Sequence, residues 1–546
     1  MYPTGLHSIH WCSITESLRE LYSSMGLPLA PGVDQLRWNQ EEAVEWALAQ
    51  PEPYLFINAP TGSGKTLINT TVGMRSAEPW TYAVHTIRLQ NQVAQQFENL
   101  PVFTGRANHP CLLMAGTTAA EAICAMPGYE YGECSHDPSG QDLCDYYSQA
   151  RIAMESRYRI ANYSLLLSYP PLVVSPRKGQ QGTKVLLCDE AHNVEEAVCG
   201  SVSLTLSERT LRRLGKSLPR HSGILDWAAW ARKAVEDGLL QFNGKPDLGF
   251  KNLDRTIRAL ATVSPENAGE WLVESNQYGY TFQPIWGAPY VMQKLLGHKE
   301  APAGTSLFEQ ANTGGVRKAV FTSATLMGAE YIASLLGFPD GAWAYLDMSS
   351  TFPPANRPVN YCPVDSMNAS KVNDPAGRAK MQEAMDRLIE FYVRGGKPWG
   401  MIHAVSNKYR DYILTDSRWQ SIMVKDVTEH EARVARKEPS VLVASNLAEG
   451  WDGKDDLCRF VLMPKVPFPD LGDTRTRLRK DEDSRSYDHR ALVSVVQGAG
   501  RGVRSSEDYC DTWLLDSAWR ILMAKRGSWL PESFKSSYHH NVQLPI

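Results

Sequence analysis

Short apolar runs alternate along the chain with longer polar stretches. The runs at 54–57, 82–85, 185–188 and 319–322 are too short for a buried helix and rich in Val, Leu, Ile, Phe and Tyr, so they predict strands covered on both faces. Helix-like segments separate them, which is the pattern of an α/β fold around a parallel sheet. A second set at 401–404, 441–444, 460–463 and 513–515 repeats the pattern, and two α/β units in tandem are expected.

The third and fourth runs of the first set lie about 130 residues apart, far more than a loop inside a compact domain. An insertion is expected there. Leu211, Leu214 and Leu218, then Trp227, Trp230 and Ala231, recur at helical spacing, so 207–262 reads as a helical arm. The proline-rich stretch at 349–358 is the expected linker between the two units.

Composition narrows this little. With 43% hydrophobic and 21% charged residues in 546, disordered, collagenous and coiled-coil readings are excluded. A net charge of −4 excludes a uniformly basic nucleic-acid coat but leaves room for a local basic groove. No apolar run reaches the roughly 18 residues that span a bilayer, and the start of the chain lacks a secretory signal, so no membrane contact and a cytoplasmic location are expected. Cysteine usage is more informative. Of ten cysteines, Cys111, Cys124, Cys134 and Cys144 crowd into one segment, which in a reducing compartment points to metal or redox chemistry rather than disulfides. Four thiolates suit an iron–sulfur cluster; zinc on the same four, or on three with His136, is the chemical alternative.

Three motifs carry chemistry. APTGSGKT at 59–66 follows the first apolar run and reads as a phosphate-binding loop with alanine in place of the first glycine. Gly62 and Gly64, flanking Ser63, let backbone N–H groups turn toward phosphate, Lys65 reaches the β/γ phosphates, and Thr66 ligates Mg²⁺. DEAH at 189–192 ends the third run, where Asp189 is placed as a Mg²⁺ ligand beside the water-orienting base Glu190. QGAGRGVR at 497–504 offers Gln497 and two arginines, Arg501 and Arg504, which on one helical face would reach a γ-phosphate from the second unit. After the last clustered cysteine, Tyr146, Tyr147, Arg151, Tyr158 and Arg159 form either a single-strand platform or a helix packing its tyrosines on the core.

These motifs, with TSAT at 322–325 and EGWD at 449–452, stand in the order of the superfamily 2 helicases, and the chain resembles the XPD/DinG branch of that family. HTIRLQNQ (85–92), Gly105 and Arg106 leading into Cys111, FPPANR (352–357) and PFP (467–469) resemble further signatures of the branch. The resemblance implies two tandem RecA-like P-loop domains, with a four-cysteine insertion and a helical Arch insertion in the first. The expected bounds are 1–105, 151–198 and 304–348 for the first RecA-like domain, 106–150 for an iron–sulfur domain, 199–303 for the Arch and 349–546 for the second RecA-like domain.

The resemblance further implies an ATP-dependent DNA helicase of 5′→3′ polarity that acts on single-stranded and forked or tailed duplex DNA; roles in DNA repair, in replication and in mobile elements all stay open. A monomer is expected, cytoplasmic or, in a eukaryote, nuclear. Lys65, Asp189, Glu190, Gln497, Arg501 and Arg504 would carry catalysis, and Arg37, Gln40, Gly62, Ser63, Gly64, Lys65, Thr66, Glu449 and Asp452 would hold ATP, with Mg²⁺ on Thr66 and Asp189. Ser323 and Thr325 would couple hydrolysis to movement, and Cys111, Cys124, Cys134 and Cys144 would hold a [4Fe–4S] cluster. Thr86, Arg88, Arg106, Tyr147, Ser406 and Asn446 would touch DNA. Two rivals remain: an ATP-driven single-strand translocase or remodeller that parts no strands, and a redox-sensing nucleic-acid-binding module.

Overall fold

Every expected apolar run falls on a strand, with ends that differ by at most two residues. The computed structural model describes residues 18–24, 35–97, 99–126, 129–173, 180–213, 223–237, 248–298, 315–445, 451 and 453–545. Leu214, Leu218, Asn446, Glu449 and Asp452 lie outside the described residues.

Numbered along the chain, the strands begin with β1 (Tyr54–Asn58), β2 (Trp80–Val84), β3 (Val102–Phe103), β4 (Tyr158–Asn162) and β5 (Val185–Cys188). After β6 (Leu204–Ser207), β7 (Trp271–Asn276) and β8 (Gly279–Pro284) come β9 (Lys318–Ser323) and β10 (Trp343–Asp347). The first sheet runs β10-β1-β9-β5-β2-β4-β3 with every neighbouring pair parallel. Helices cover both faces, so alternate residues of one strand enter different cores. In β1, Tyr54 and Phe56 join Leu186 and Phe321 on one face, while Leu55 and Ile57 join Leu187 and Val320 on the other.

The second sheet repeats this plan. It contains β11 (Val359–Asp365), β12 (Trp399–His403), β13 (Met423–Val424), β14 (Ser440–Ala444), β15 (Phe460–Met463), β16 (Asp511–Asp516) and β17 (Tyr538–His539), in the order β13-β14-β12-β15-β16-β11-β17, again all parallel. In β14, Val441 and Val443 face one core and Leu442 the other. Two parallel-sheet units in tandem are thus the architecture.

Between β5 and β9 the chain builds a separate unit with its own core of Leu206, Trp227, Ala231, Ile257 and Phe282. Its helices Ile224–Glu236 and Leu248–Ala261 fall within 207–262, but the unit is not purely helical. A three-stranded antiparallel sheet, β6-β8-β7, completes it. The period of two in β6, where Leu204 and Leu206 are buried and Thr205 is exposed, is the signal that separates this strand from a helix.

The cysteine segment has little regular structure until the helix Asp145–Glu155, whose Tyr146, Ala150, Ala153 and Met154 pack into the first sheet's core. Tyr146 is therefore a core residue. Arg159 is fully buried in β4, donating to the carbonyls of Ser156 and Gln181 rather than facing a strand track.

Candidate active site

In a parallel sheet ligands gather at the carboxyl ends of the strands. Here those ends from both sheets line one cleft of about 370 Å³. The first sheet contributes Thr61, Gly62, Gly64, Lys65, Thr66, Asp189 and Glu190; the second contributes Trp451, Gln497, Gly500, Arg501 and Arg504.

The loop after β1 takes its shape from Gly64, which caps the helix Lys65–Arg75 at φ 79°, a left-handed conformation that costs glycine little. The unpaired N–H groups of that helix start make an anion-binding surface. Lys65 Nζ stands 3.9 Å from Glu190 Oε1, so the loop's cation and the strand's acid face each other across the cleft. Arg37 and Gln40 brace the loop from behind: Arg37 Nη2 donates to Gly62 O at 2.9 Å, and Gln40 Nε2 to Ser63 O at 2.8 Å. Gln40 Oε1 accepts from Arg37 N, so both polar ends of Gln40 are engaged, and neither residue nor Ser63 lines the cleft. Phe352, in the linker, presses on Gly62, where an added Cβ would lie 2.4 Å from its ring.

Asp189 is buried at the end of β5. Burial and then the neighbouring Glu190 push its carboxyl up to about 6, against the pull of Lys65 and a hydrogen bond from Tyr82. Tyr82 donates to Asp189 Oδ2 at 2.8 Å, and Glu190 N to Oδ1 at 2.9 Å. Glu190 sits at φ 47°, an uncommon conformation for a residue with a side chain.

A hydrogen-bonded chain then crosses between the sheets. Gln497 Nε2 meets His192 Nε2 at 2.9 Å, His192 Nδ1 meets Ser323 Oγ at 2.7 Å, and Ser323 donates to Glu190 Oε2 at 3.4 Å. The Gln497 amide donor makes His192 Nε2 an acceptor, which leaves the imidazole proton on Nδ1. Thr325 Oγ1 lies 3.2 Å from Ser323 Oγ, so the TSAT segment is part of the same chain.

Arg501 and Arg504 do line the cleft, but not on one helical face. The helix Ser484–Ala499 ends at Gly500, and both arginines follow in a loop. Gly502 lets that loop lie against the sheet, since a Cβ there would lie 2.2 Å from Cys510 Sγ. Arg501 Nη1 donates to Trp451 O at 2.9 Å, and Asp508 Oδ2 accepts from Arg504 N at 3.3 Å. Tyr82, Trp451 and Phe352 are site residues with no role assigned from the sequence; Trp451, inside EGWD, and Phe352, inside FPPANR, carried a signal, and Tyr82 carried none.

The DNA candidates scatter. Thr86 and Ser406 cap the helices Ile87–Gln96 and Asn407–Asp416, the first helices after β2 and β12, and Arg88 is exposed beside Thr86. A second groove of about 460 Å³ runs between the sheets, lined by Asn193, His403, Val405, Ser445, Phe468 and Arg490 among others, and not by Thr86, Arg88 or Ser406. Val405 there holds φ 64°, strained for a β-branched residue.

Cys111, Cys124, Cys134 and Cys144 line one small enclosed cavity with Ile123, His136 and Tyr147. Met114 N donates to Cys111 Sγ at 3.2 Å, and Arg106 Nη1 to Cys124 Sγ at 3.1 Å, while the same guanidinium stacks 4.4 Å from the Tyr146 ring. Such N–H···S bonds and a nearby cation suit anionic sulfur ligands. Among the described residues no group of three or more His, Cys, Asp or Glu is arranged to hold a single metal ion. No helix of the described residues is long and apolar enough to cross a membrane.

Comparison with known proteins agrees with this geometry. Residues 401–537 match the family described as Helicase C-terminal domain, and residues 131–211 the family DEAD_2. The ATP-dependent DNA helicase CHL1 of Vanderwaltozyma polyspora is 27% identical over 24% of this chain and 18% of its own length. CHL1 of Saccharomyces cerevisiae is 26% identical over 18% of the chain and 14% of its own length. The chain thus spans less than a fifth of these relatives. The solved structure of S. tokodaii Xpd4 shares the fold, with a TM-score of 0.50, 14% identity, and coverage of 90% of this chain and 98% of that one. In the two matched segments, 131–211 and 401–537, the chain is similar to the XPD/DinG-like helicases of superfamily 2.

Proposed function

We propose that the chain is an ATP-dependent DNA helicase that moves 5′→3′ along single-stranded DNA and parts duplex at a fork or tail. One observation carries the reading: Lys65 and Glu190 of one sheet and Arg501 and Arg504 of the other line a single cleft. ATP in that cleft would have its phosphates on the loop N–H groups and Lys65. Thr66 and Asp189 would hold Mg²⁺, which neutralises charge on the transferred phosphoryl group. Glu190, held by Ser323 and His192, orients the attacking water, and the two arginines complete the site as the sheets close. Because the γ-phosphate touches both sheets only when they are together, hydrolysis loosens the closure, and repeated closure moves a bound strand. The chain from Gln497 to Glu190 carries that movement to the catalytic acid.

The four thiols around one cavity support an iron–sulfur cluster there, held by Cys111, Cys124, Cys134 and Cys144, which supplies a rigid anchor for a segment with little regular structure. Iron, sulfide and zinc analysis of anaerobically purified protein tests this; zinc at one per chain without iron would replace the cluster.

The activity test compares unwinding of duplexes with a 5′ or a 3′ single-stranded tail, with Lys65→Ala as control. Unwinding from the 5′ tail alone, lost in the control, is expected. DNA-stimulated ATPase without unwinding from either tail would leave a translocase, and no DNA-stimulated hydrolysis would leave a binding module.

A further inference from the structure

Away from the nucleotide, the two sheets are tied by a buried ionic junction. The helix Thr474–Glu482 of the second unit carries Arg475 and Arg479 one turn apart, and their side chains are 8% and 4% exposed. Both Nε atoms donate to Ile285 O, where the chain returns from the inserted unit. Arg479 grips Glu195 through two bonds, Nη1 to Oε2 at 3.1 Å and Nη2 to Oε1 at 2.5 Å. Arg475 Nη1 donates to Glu196 Oε1 at 2.7 Å. The Arg479 guanidinium also lies 4.7 Å from the Trp286 ring, whose Nε1 donates to Glu482.

The placement of these partners gives the junction a purpose. Glu195 and Glu196 lie in the first turn of the helix Val194–Val202, directly after DEAH. The arginine helix leads straight into the helix Ser484–Ala499, whose far end carries Gln497 and precedes Arg501 and Arg504. That second helix is about 24 Å long at 1.5 Å per residue, a rigid lever with the junction at its base and the cleft at its tip. Arg490, midway along it, reaches Glu196 Oε2 at 3.3 Å. A shift at the base is therefore transmitted to the arginines.

We propose that the Arg479–Glu195 pair is a positioning element, a pivot that fixes the helix Ser484–Ala499, which leads into the arginine loop, against the helix that follows DEAH, and so sets where Arg501 meets the γ-phosphate. A buried bidentate pair suits a pivot because its geometry is fixed in distance and angle, whereas a lysine gives a point charge without the fork. Neither residue lines the cleft that holds Lys65, Glu190, Arg501 and Arg504. The inference rests on the ATPase reading above.

The test uses the full chain and DNA-stimulated ATP hydrolysis. Arg479→Ala should lower kcat by about tenfold or more while the KM for ATP stays within about twofold, since the phosphate loop is untouched. Arg479→Lys, which keeps the charge in place and guards against misfolding, should show a smaller loss of kcat at an unchanged melting temperature. The decisive comparison is the pair of variants: if Arg479 acts through Arg501, then Arg479→Ala with Arg501→Ala hydrolyses no more slowly than Arg501→Ala alone. Additive losses, or wild-type kcat in Arg479→Lys, would overturn the pivot. Hydrolysis that survives Lys65→Ala would instead sink the ATPase reading itself.

Discussion

Replacing Gly64 by alanine probes how the phosphate loop is braced. Gly64 holds φ 79°, and a Cβ built there lies 2.3 Å from Gln40 Nε2 and 3.2 Å from Arg37 Nη2. Two costs separate. The left-handed backbone costs alanine about 1–2 kcal/mol, which no neighbour can relieve. The contact with Gln40 is relieved only when that side chain swings away, which gives up its hydrogen bond to Ser63 O at 2.8 Å, worth about 1 kcal/mol. Together about 2–3 kcal/mol falls on the conformation that holds phosphate, which is roughly 30- to 150-fold in ATP affinity. Calorimetric titration with Mg·ATP measures it, and a melting curve checks that the fold survives. The Gln40→Ala variant should lose only the hydrogen-bond share. In the double variant the steric cost is already gone, so its affinity should match that of Gly64→Ala alone. Wild-type affinity in Gly64→Ala, or a double variant that loses the sum of both singles, would refute this account of the loop.

Three further outcomes are expected. Burial, then Arg501, pushes His403 down to about 4, so the folded state keeps it neutral. Unfolded chains take up that proton near pH 6.5, so stability from this group is complete above pH 6.5 and falls as pH drops toward 4, by about 2 kcal/mol at pH 5; urea unfolding at pH 7.5 and 5 should show a shallower pH dependence in His403→Asn. Asp508 accepts from Arg459 Nη1 at 2.8 Å and from the backbone N–H groups of Asp455, Arg504 and Tyr509. Asp508→Ala leaves Arg459 with the Asp456 carboxylate and takes the acceptor from three backbone N–H groups, that of Arg504 among them, and should cost the second unit about 2–3 kcal/mol in urea unfolding. Trp227 is fully buried among Phe282, Tyr280 and Trp230, so Trp227→Ala should cost the inserted unit about 3–5 kcal/mol, seen as faster amide exchange in β6, β7 and β8 while DNA-independent ATP hydrolysis is unchanged.

What could be read in advance depended on whether a residue's role was local. The strands β1, β5, β9 and β15 announced themselves because a strand buried on both faces carries an unbroken apolar run, and the residues that follow β1 and β5 had to be the chemistry-bearing ones because parallel strands end at the site. Lys65, Asp189 and Glu190 were legible for that reason. Arg501 and Arg504 were legible as residues but not as geometry: spacing of three suggests a helix face, whereas the helix ends at Gly500 and the loop after it packs Gly502 against Cys510. β6 was hidden inside a leucine-rich stretch whose helical spacing competes with its short alternation, and β10 carries aromatic and polar residues that are half exposed at a sheet edge. Tyr82 gave no sign at all, because a tyrosine in an apolar strand reads as core until Asp189 is found 2.8 Å from its hydroxyl. The junction of Arg479 with Glu195 is the extreme case. In sequence the two are a charged residue in a polar run and one of two adjacent acids, each with a solvated surface as its ordinary fate. Folding brings them together across 284 positions and buries both, and a charge is buried in that way only where a partner fixes it. Their burial therefore says that the two sheets are held at a set angle in this arrangement, and the residues that set it lie far along the chain from the motifs whose geometry depends on it.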